Sequence, residues 1–265
     1  MSNYLLAIAV ALIGWWFSTG VILMLNHLPR GTYRWSFLCA SALMLASLAS
    51  LSANSLDDTA AGAIVGFLLV LVIWGWLEMG YLMGIVTGPH SEPCPAAVSP
   101  VQRFFLAIAT SLYHELAVLV LAALVISLSW DGPNQVATLS FLTLWLMRWS
   151  AKLNLFLGVR NYNGQWLPDH LHYLDSYTRR RRMNALFPIS LTMGLLAAFH
   201  LFQGAAAAGA SDFDMIANTL VATLISLAVL EHLFLMLPLG DAALWRWALP
   251  QSATDQSPDP CVKET

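Results

Sequence analysis

The sequence predicts an all-α integral membrane protein, a bundle of seven transmembrane helices, and three observations carry that expectation. Of 265 residues, 58% are hydrophobic and 10% charged, with a mean hydropathy of +0.66. A soluble domain carries about 25% charged residues, so this much apolar surface needs lipid as its solvent. Seven stretches, at 4–26, 34–53, 60–87, 101–129, 133–157, 184–206 and 213–240, reach the roughly 20 mostly apolar residues that a spanning helix requires. Finally, Lys and Arg fall in alternate connections, as the bias against translocating cations demands.

The stretch 4–26 has no basic leader and no small-residue cleavage signature, so it reads as a retained first helix rather than a signal peptide. His27 follows Asn26 at its end and marks an interface. The first connection carries Arg30 and Arg34, the third leads into Arg103, and the fifth holds Arg160 and Arg179–Arg182. The even connections carry Asp57 and Asp58, Asp131, then Asp212 and Asp214, with no Lys or Arg. This alternation places the N-terminus in the periplasm and the C-terminus in the cytoplasm. Trp35, Trp130, Trp166, Trp245 and Trp247 lie near the expected interfaces, where aromatic belts form.

The expected organisation is one membrane domain over 1–250 and a polar, disordered tail over 251–265. The third connection, GPHSEPCPAAVSP, is proline-rich and irregular. The cytoplasmic connection 158–183 is long. Within it, Leu167 to Met183 is compatible with a helix lying on the membrane surface, its arginine run facing anionic headgroups or serving only as a topology anchor.

Several reaction classes lack their motifs. The cysteines Cys39, Cys94 and Cys261 are far apart with no CxxC, against a disulfide framework or thiolate metal site. No GxSxG and no phosphate-cradling glycine loop occur. A net charge of −3 argues against nucleic-acid binding, and the absence of an internal repeat gives no support to a transporter built from inverted halves.

The residues that attract attention are ionisable groups at membrane depth, which are costly there and face a protein interior. They are Glu78, His114, Glu115, Arg148, Lys152, Glu231 and His232. All lie roughly 5–14 residues from the cytoplasmic ends of their helices, about 8–20 Å at the helical rise, so one layer can hold them. Arg148 and Lys152, four apart, share a helix face. Three readings stand side by side. In one, the three carboxylates simply pair with Arg148 and Lys152. In another, Glu78, His114, Glu115, Glu231 and His232 ligate iron in a bundle di-iron site, although the Glu-x-x-His spacing and histidine boxes are absent and adjacent His–Glu pairs point about 100° apart. In the third, His114, His232 or His200 ligates a tetrapyrrole magnesium. His170 and His172 form an H-x-H pair, by itself a weak metal signal.

The blocks KLNLFLGVRN (Lys152 to Asn161), LPDHLHYLDSY (Leu167 to Tyr177), RRRRMNALFP (Arg179 to Pro188) and EHLFLMLPLGDAALWRWAL (Glu231 to Leu249) resemble the PuhE family of photosynthetic complex assembly proteins from purple and aerobic phototrophic bacteria. The resemblance extends over essentially the whole chain. It implies a multi-pass protein of the bacterial inner membrane that assembles the reaction centre and core light-harvesting complex, or modulates bacteriochlorophyll supply to them. It further implies photosynthetic subunits or pigment-synthesis enzymes as partners, with bacteriochlorophyll or a precursor as a ligand. No catalytic residue follows from it. Within its blocks, Asn154, Arg160, Asn161, His170, His172, Arg179, Arg180 and Asn184 are candidates for the cytoplasmic surface. The alternative from another class is a membrane metalloenzyme acting on a tetrapyrrole or isoprenoid through the carboxylates and histidines.

Overall fold

Helix is the consequence of putting this backbone in lipid, where every N–H and C=O must be satisfied within its own segment. A computed structural model describes residues 2–162, 167–237, 244–245 and 247–248. Eight α-helices run in order: α1 (Ser2–Asn26), α2 (Tyr33–Ser55), α3 (Ala60–Leu82), α4 (Pro100–Ala109), α5 (Leu112–Ser129), α6 (Val136–Leu157), α7 (Leu186–Ala205) and α8 (Asp212–Met236). Two 3-10 segments, Arg30–Thr32 and Asp169–Tyr177, lie in connections, and the described residues form no β-strand. Six helical stretches are long and apolar enough to cross a membrane: Asn3–Asn26, Arg30–Ser55, Ala60–Leu82, Leu112–Ser129, Leu186–Ala205 and Asp212–Met236. The expected span 133–157 forms α6, of comparable length, but Arg148 and Lys152 dilute its apolar character.

Burial orders the bundle. Twelve of the 23 residues of α3 and 12 of the 25 of α8 are buried, against 5 of 23 in α2 and 4 of 20 in α7. α3 and α8 therefore form the centre, and the outer helices turn residues such as Ile13, Leu43, Met193 and Phe199 outward, which only an apolar solvent tolerates.

The connections cluster at two ends. At one end Asn134 donates through Nδ2 to the carbonyls of Asn54 (3.3 Å) and Asp57 (2.9 Å), Gly132 lies against the Ser55 carbonyl, and Tyr4 donates its hydroxyl to Ala205 at 2.8 Å. Thr59 caps α3 and a Ser211–Asp214 capping box opens α8. The opposite end holds the 1–2, 3–4 and 6–7 connections.

Four expected spans are corrected there. The span 60–87 stops at Leu82, because Gly84 takes a positive φ of 74° and Ile85 and Val86 return their N–H groups to Gly80, a glycine helix stop. The span 101–129 is broken into α4 and α5 at Thr110–Ser111. The 3–4 connection enters the break: Thr87 accepts from His114 N–H at 2.9 Å, and Gly88 is pressed against Ala109. A Ser99–Gln102 capping box with Pro100 at its start makes α4 a separate helix. The span 213–240 leaves helix at Met236. Asn184 takes the N–H groups of Leu186 and Phe187, so α7 begins at Leu186 rather than 184.

The surface helix expected over Leu167 to Met183 is instead the 3-10 segment Asp169–Tyr177 followed by extended chain, in which Val159 and Arg180 form a parallel bridge. Of the expected belt, Trp35 and Trp130 are exposed at helix ends. Trp245 is buried edge-on against Trp15, centroids 5.4 Å apart. Trp166 and the tail 251–265 lie outside the described residues.

Gly132→Ala would drive a Cβ into the Ser55 backbone, which cannot step aside. The expected loss is about 1–3 kcal/mol, read as a lower thermal midpoint in detergent. Gly31→Ala, with nothing within 4 Å, is expected to leave that midpoint unchanged.

Candidate functional site

The site grows from α6. Arg148 and Lys152 lie one turn apart on it, and each finds a different carboxylate. Arg148 pairs with Glu78 of α3, and Lys152 pairs with Glu115 of α5 while donating to Ser111 Oγ at 3.2 Å. The side chains of the first pair are 19% and 16% exposed, those of the second 27% and 10%. Between the pairs stands Tyr81, one turn beyond Glu78 on α3. The Arg148 guanidinium carbon lies 5.4 Å from its ring centroid and Lys152 Nζ 5.5 Å, within range of a cation–π attraction. His114 is fully buried and its ring lies 4.9 Å from that of Tyr81. Neither of its nitrogens has a hydrogen-bond partner among the described residues.

Five of the seven residues expected in the layer therefore converge. Glu231 takes no part in either ion pair: it lines a second cavity whose wall also includes Glu78 and Arg148, and it is hydrogen-bonded with Trp15. His232, its neighbour in sequence, points elsewhere: its Nε2 meets Ser150 Oγ and its Nδ1 the Ala228 carbonyl, both at 2.8 Å. Adjacent helical residues diverge by about 100°, and the structure follows that rule. Ser150 in turn donates to Ser190 at 2.8 Å, which accepts from Asn154 Nδ2 at 3.2 Å. This network clamps α6, α7 and α8. Among the described residues no three His, Cys, Asp or Glu side chains are grouped to hold a metal ion. His200 is exposed on α7.

A cavity of about 440 Å³ opens beside the layer. Its inner end presents Glu78, Tyr81, Ser111, Arg148 and Lys152, and its walls are largely apolar and aromatic, with Phe104, Trp149 and Phe156. Described residues of the 6–7 connection cover it: Tyr162, Leu167, Leu174, Tyr177 and Thr178 belong to the same lining. That cover is tied down. Arg103 of α4 donates to the Tyr177 carbonyl and rests 4.3 Å over the Phe156 ring. His90 Nε2 meets the Tyr177 hydroxyl at 2.8 Å, and the Cys94 N–H donates to Ser176 at 2.7 Å. Tyr162 donates to Asp175 at 2.6 Å. Burial, reinforced by the Asp175 carboxylate, raises the Tyr162 phenol above its ordinary range.

The loop candidates divide. Asn161 donates to the last carbonyls of α8, Phe234 at 3.2 Å and Leu237, and Asn184 donates to Gly158 at 2.8 Å. Both brace the chain. His170 packs against Gly84 and the Leu82 carbonyl, joining the cover to α3. Arg160, His172, Arg179 and Arg180 are exposed. Tyr81, Arg103, Ser111 and Ser150 were not singled out in the sequence. Tyr81 was accessible to reasoning, because it lies three residues after a membrane-depth Glu and so shares its face.

These features define a class: an all-helical membrane protein whose charged layer is neutralised mainly within itself, beside a covered apolar cavity. The chain belongs to the protein family of unknown function DUF3623, whose model matches residues 1–256. It is 39% identical over 255 residues, 94% of this chain and 92% of the relative, to a Rhodobacter capsulatus protein known as the uncharacterized 30.4 kDa protein in the puhA 5′ region. No solved structure matches the chain.

Two outcomes follow. Lys152→Met leaves Glu115 without its partner, an expected cost of about 3 kcal/mol, the low end for a buried pair because Lys152 keeps some exposure. Adding Glu115→Gln should recover part of it, measured as a coupling energy in a double-mutant cycle. Burial, followed by Arg30, lowers the His170 pKa. Its neutral form is favoured in the fold, so its contribution is present above about pH 6.5 and is lost as pH falls below that ordinary value. Proteolysis of the 158–183 connection should accelerate below about pH 6, and His170→Gln should flatten that dependence.

Proposed function

We propose that this protein is an assembly factor of the PuhE type for the photosynthetic reaction centre and its core light-harvesting complex, or a modulator of bacteriochlorophyll supply to them. The observation that supports the reading is the near full-length Rhodobacter capsulatus relative, whose name places it in the puhA 5′ region. The seat is the bacterial inner membrane. All seven long helices span it, α6 included, because its two cations are met by carboxylates of neighbouring helices. The N-terminus is periplasmic and the C-terminus cytoplasmic. This orientation puts Arg30, Arg34, Arg160 and Arg179–Arg182 on the cytoplasmic side.

The working parts are then the covered cavity with its layer, and the exposed Arg179–Arg182 run on the segment that covers it. A basic strip beside a cavity mouth suits contact with an acidic partner surface or with anionic headgroups. Deleting the gene in its phototrophic host should lower the near-infrared absorption of reaction-centre and core-antenna complexes in isolated membranes severalfold. Wild type should restore it, and a variant with all four of Arg179–Arg182 changed to Gln should restore it poorly at equal abundance. Unchanged core-complex absorption in the deletion strain would end this reading.

A further inference from the structure

The larger cavity has an unusual polar end. Tyr81 is 7% exposed and lines the cavity, yet its hydroxyl makes no hydrogen bond with any described residue. The hydroxyl is open to the cavity rather than sealed, and a phenol in such a place donates to whatever polar group reaches it. Around it, Lys152 Nζ, Arg148 and the Ser111 hydroxyl add donors, while each carboxylate meets a cation through one oxygen and keeps the other, Glu78 Oε1 and Glu115 Oε2, buried away from the cavity and without a partner among the described residues. The polar groups that the cavity can reach at this end are therefore mainly donors. Beyond it the lining turns apolar and aromatic, and the volume of about 440 Å³ lies within the range of small-molecule sites.

We propose that this cavity binds an amphipathic molecule with a long apolar chain and a carboxylate or carbonyl head. The head oxygen accepts from Tyr81 Oη beside Lys152. The chain lies between Phe104, Trp149 and Phe156, beneath the 158–183 connection. This deepens the reading of the same site given above by naming the chemistry of its ligand. A free lipid acid, a phospholipid acyl ester and an isoprenoid ester all carry this chemistry.

The probe is cis-parinaric acid, a fluorescent polyene carboxylic acid, added to the full-length protein in dodecyl maltoside. Wild type should bind it saturably at one per chain, with energy transfer from tryptophan. Tyr81→Phe removes only an unpartnered hydroxyl, so the fold should persist, and affinity should fall about tenfold, as for a lost hydrogen bond to a charged group. Ala107→Phe, which fills the cavity wall, should abolish saturable binding at unchanged helical content. Displacement by palmitate, phosphatidylglycerol or a phytyl ester then separates the three sources. Absence of saturable binding to wild type, or equal affinity in wild type and Tyr81→Phe, overturns the proposal. Because the binding is read on purified protein, its failure is distinct from a failed assembly phenotype in cells.

Discussion

Two cations one turn apart on a membrane helix set the terms for everything around them. Neither Arg148 nor Lys152 is tolerated at that depth without a counter-charge, and Glu78 and Glu115 stand on different neighbours of α6. Meeting both fixes the rotation of α6 against α3 and α5 together. Such pairs add little net stability over apolar residues of equal volume, but an orphaned partner costs several kcal/mol. Their effect is thus on which arrangement forms. Slide α6 by one turn and both pairs break at once. Tyr81, held between the two cations, occupies a place that exists only because both pairs form.

The cavity depends on a second constraint, the need to satisfy backbone groups where a helix breaks. A continuous helix over 101–129 would have needed no help. Because it breaks at Thr110–Ser111, the freed groups must be met, and the 3–4 connection meets them through Thr87 and His90. The break turns α4 away from α5 and carries Arg103 to the Tyr177 carbonyl. The wall formed by Phe104 and the covering segment anchored at Tyr177 thus follow from one interruption of a helix.

How much of this was legible in the sequence depends on the size of each energy term. Charge at membrane depth is expensive enough to be read directly, so Glu78, His114, Glu115, Arg148 and Lys152 were found without any structure. Glu231 and His232 were grouped with them on depth alone, although their adjacency already placed them about 100° apart. Hydropathy runs through Thr110–Ser111 without a glycine or proline, so the break was invisible; Thr and Ser competition for backbone carbonyls, as in Thr110 to Ala107 at 2.7 Å, is too weak a signal. The helix stop at Gly84 was legible in principle, but it lay within an apolar run. The 3-10 segment Asp169–Tyr177 owes its shape to contacts with α4 and Gly84, which come from distant parts of the chain.

The layer also divides by accessibility. Three carboxylates face two cations, so one carboxylate is in excess. The structure leaves Glu231 in that position, accessible in the second cavity, and keeps the more enclosed Glu115 paired. Trp15 hydrogen-bonds Glu231 there, and Ser18, Thr19 and Thr143 line the same space, so this carboxylate is met by polar groups rather than by a cation of its own. Arg148 and Glu78 form the wall common to both cavities. On one side of that wall the polar groups are mainly donors around Tyr81, and on the other stands a carboxylate held by Trp15. An uncharged or anionic head suits the first side. The wide, aromatic cavity lies on the donor side, so its polar end favours a head group that accepts hydrogen bonds.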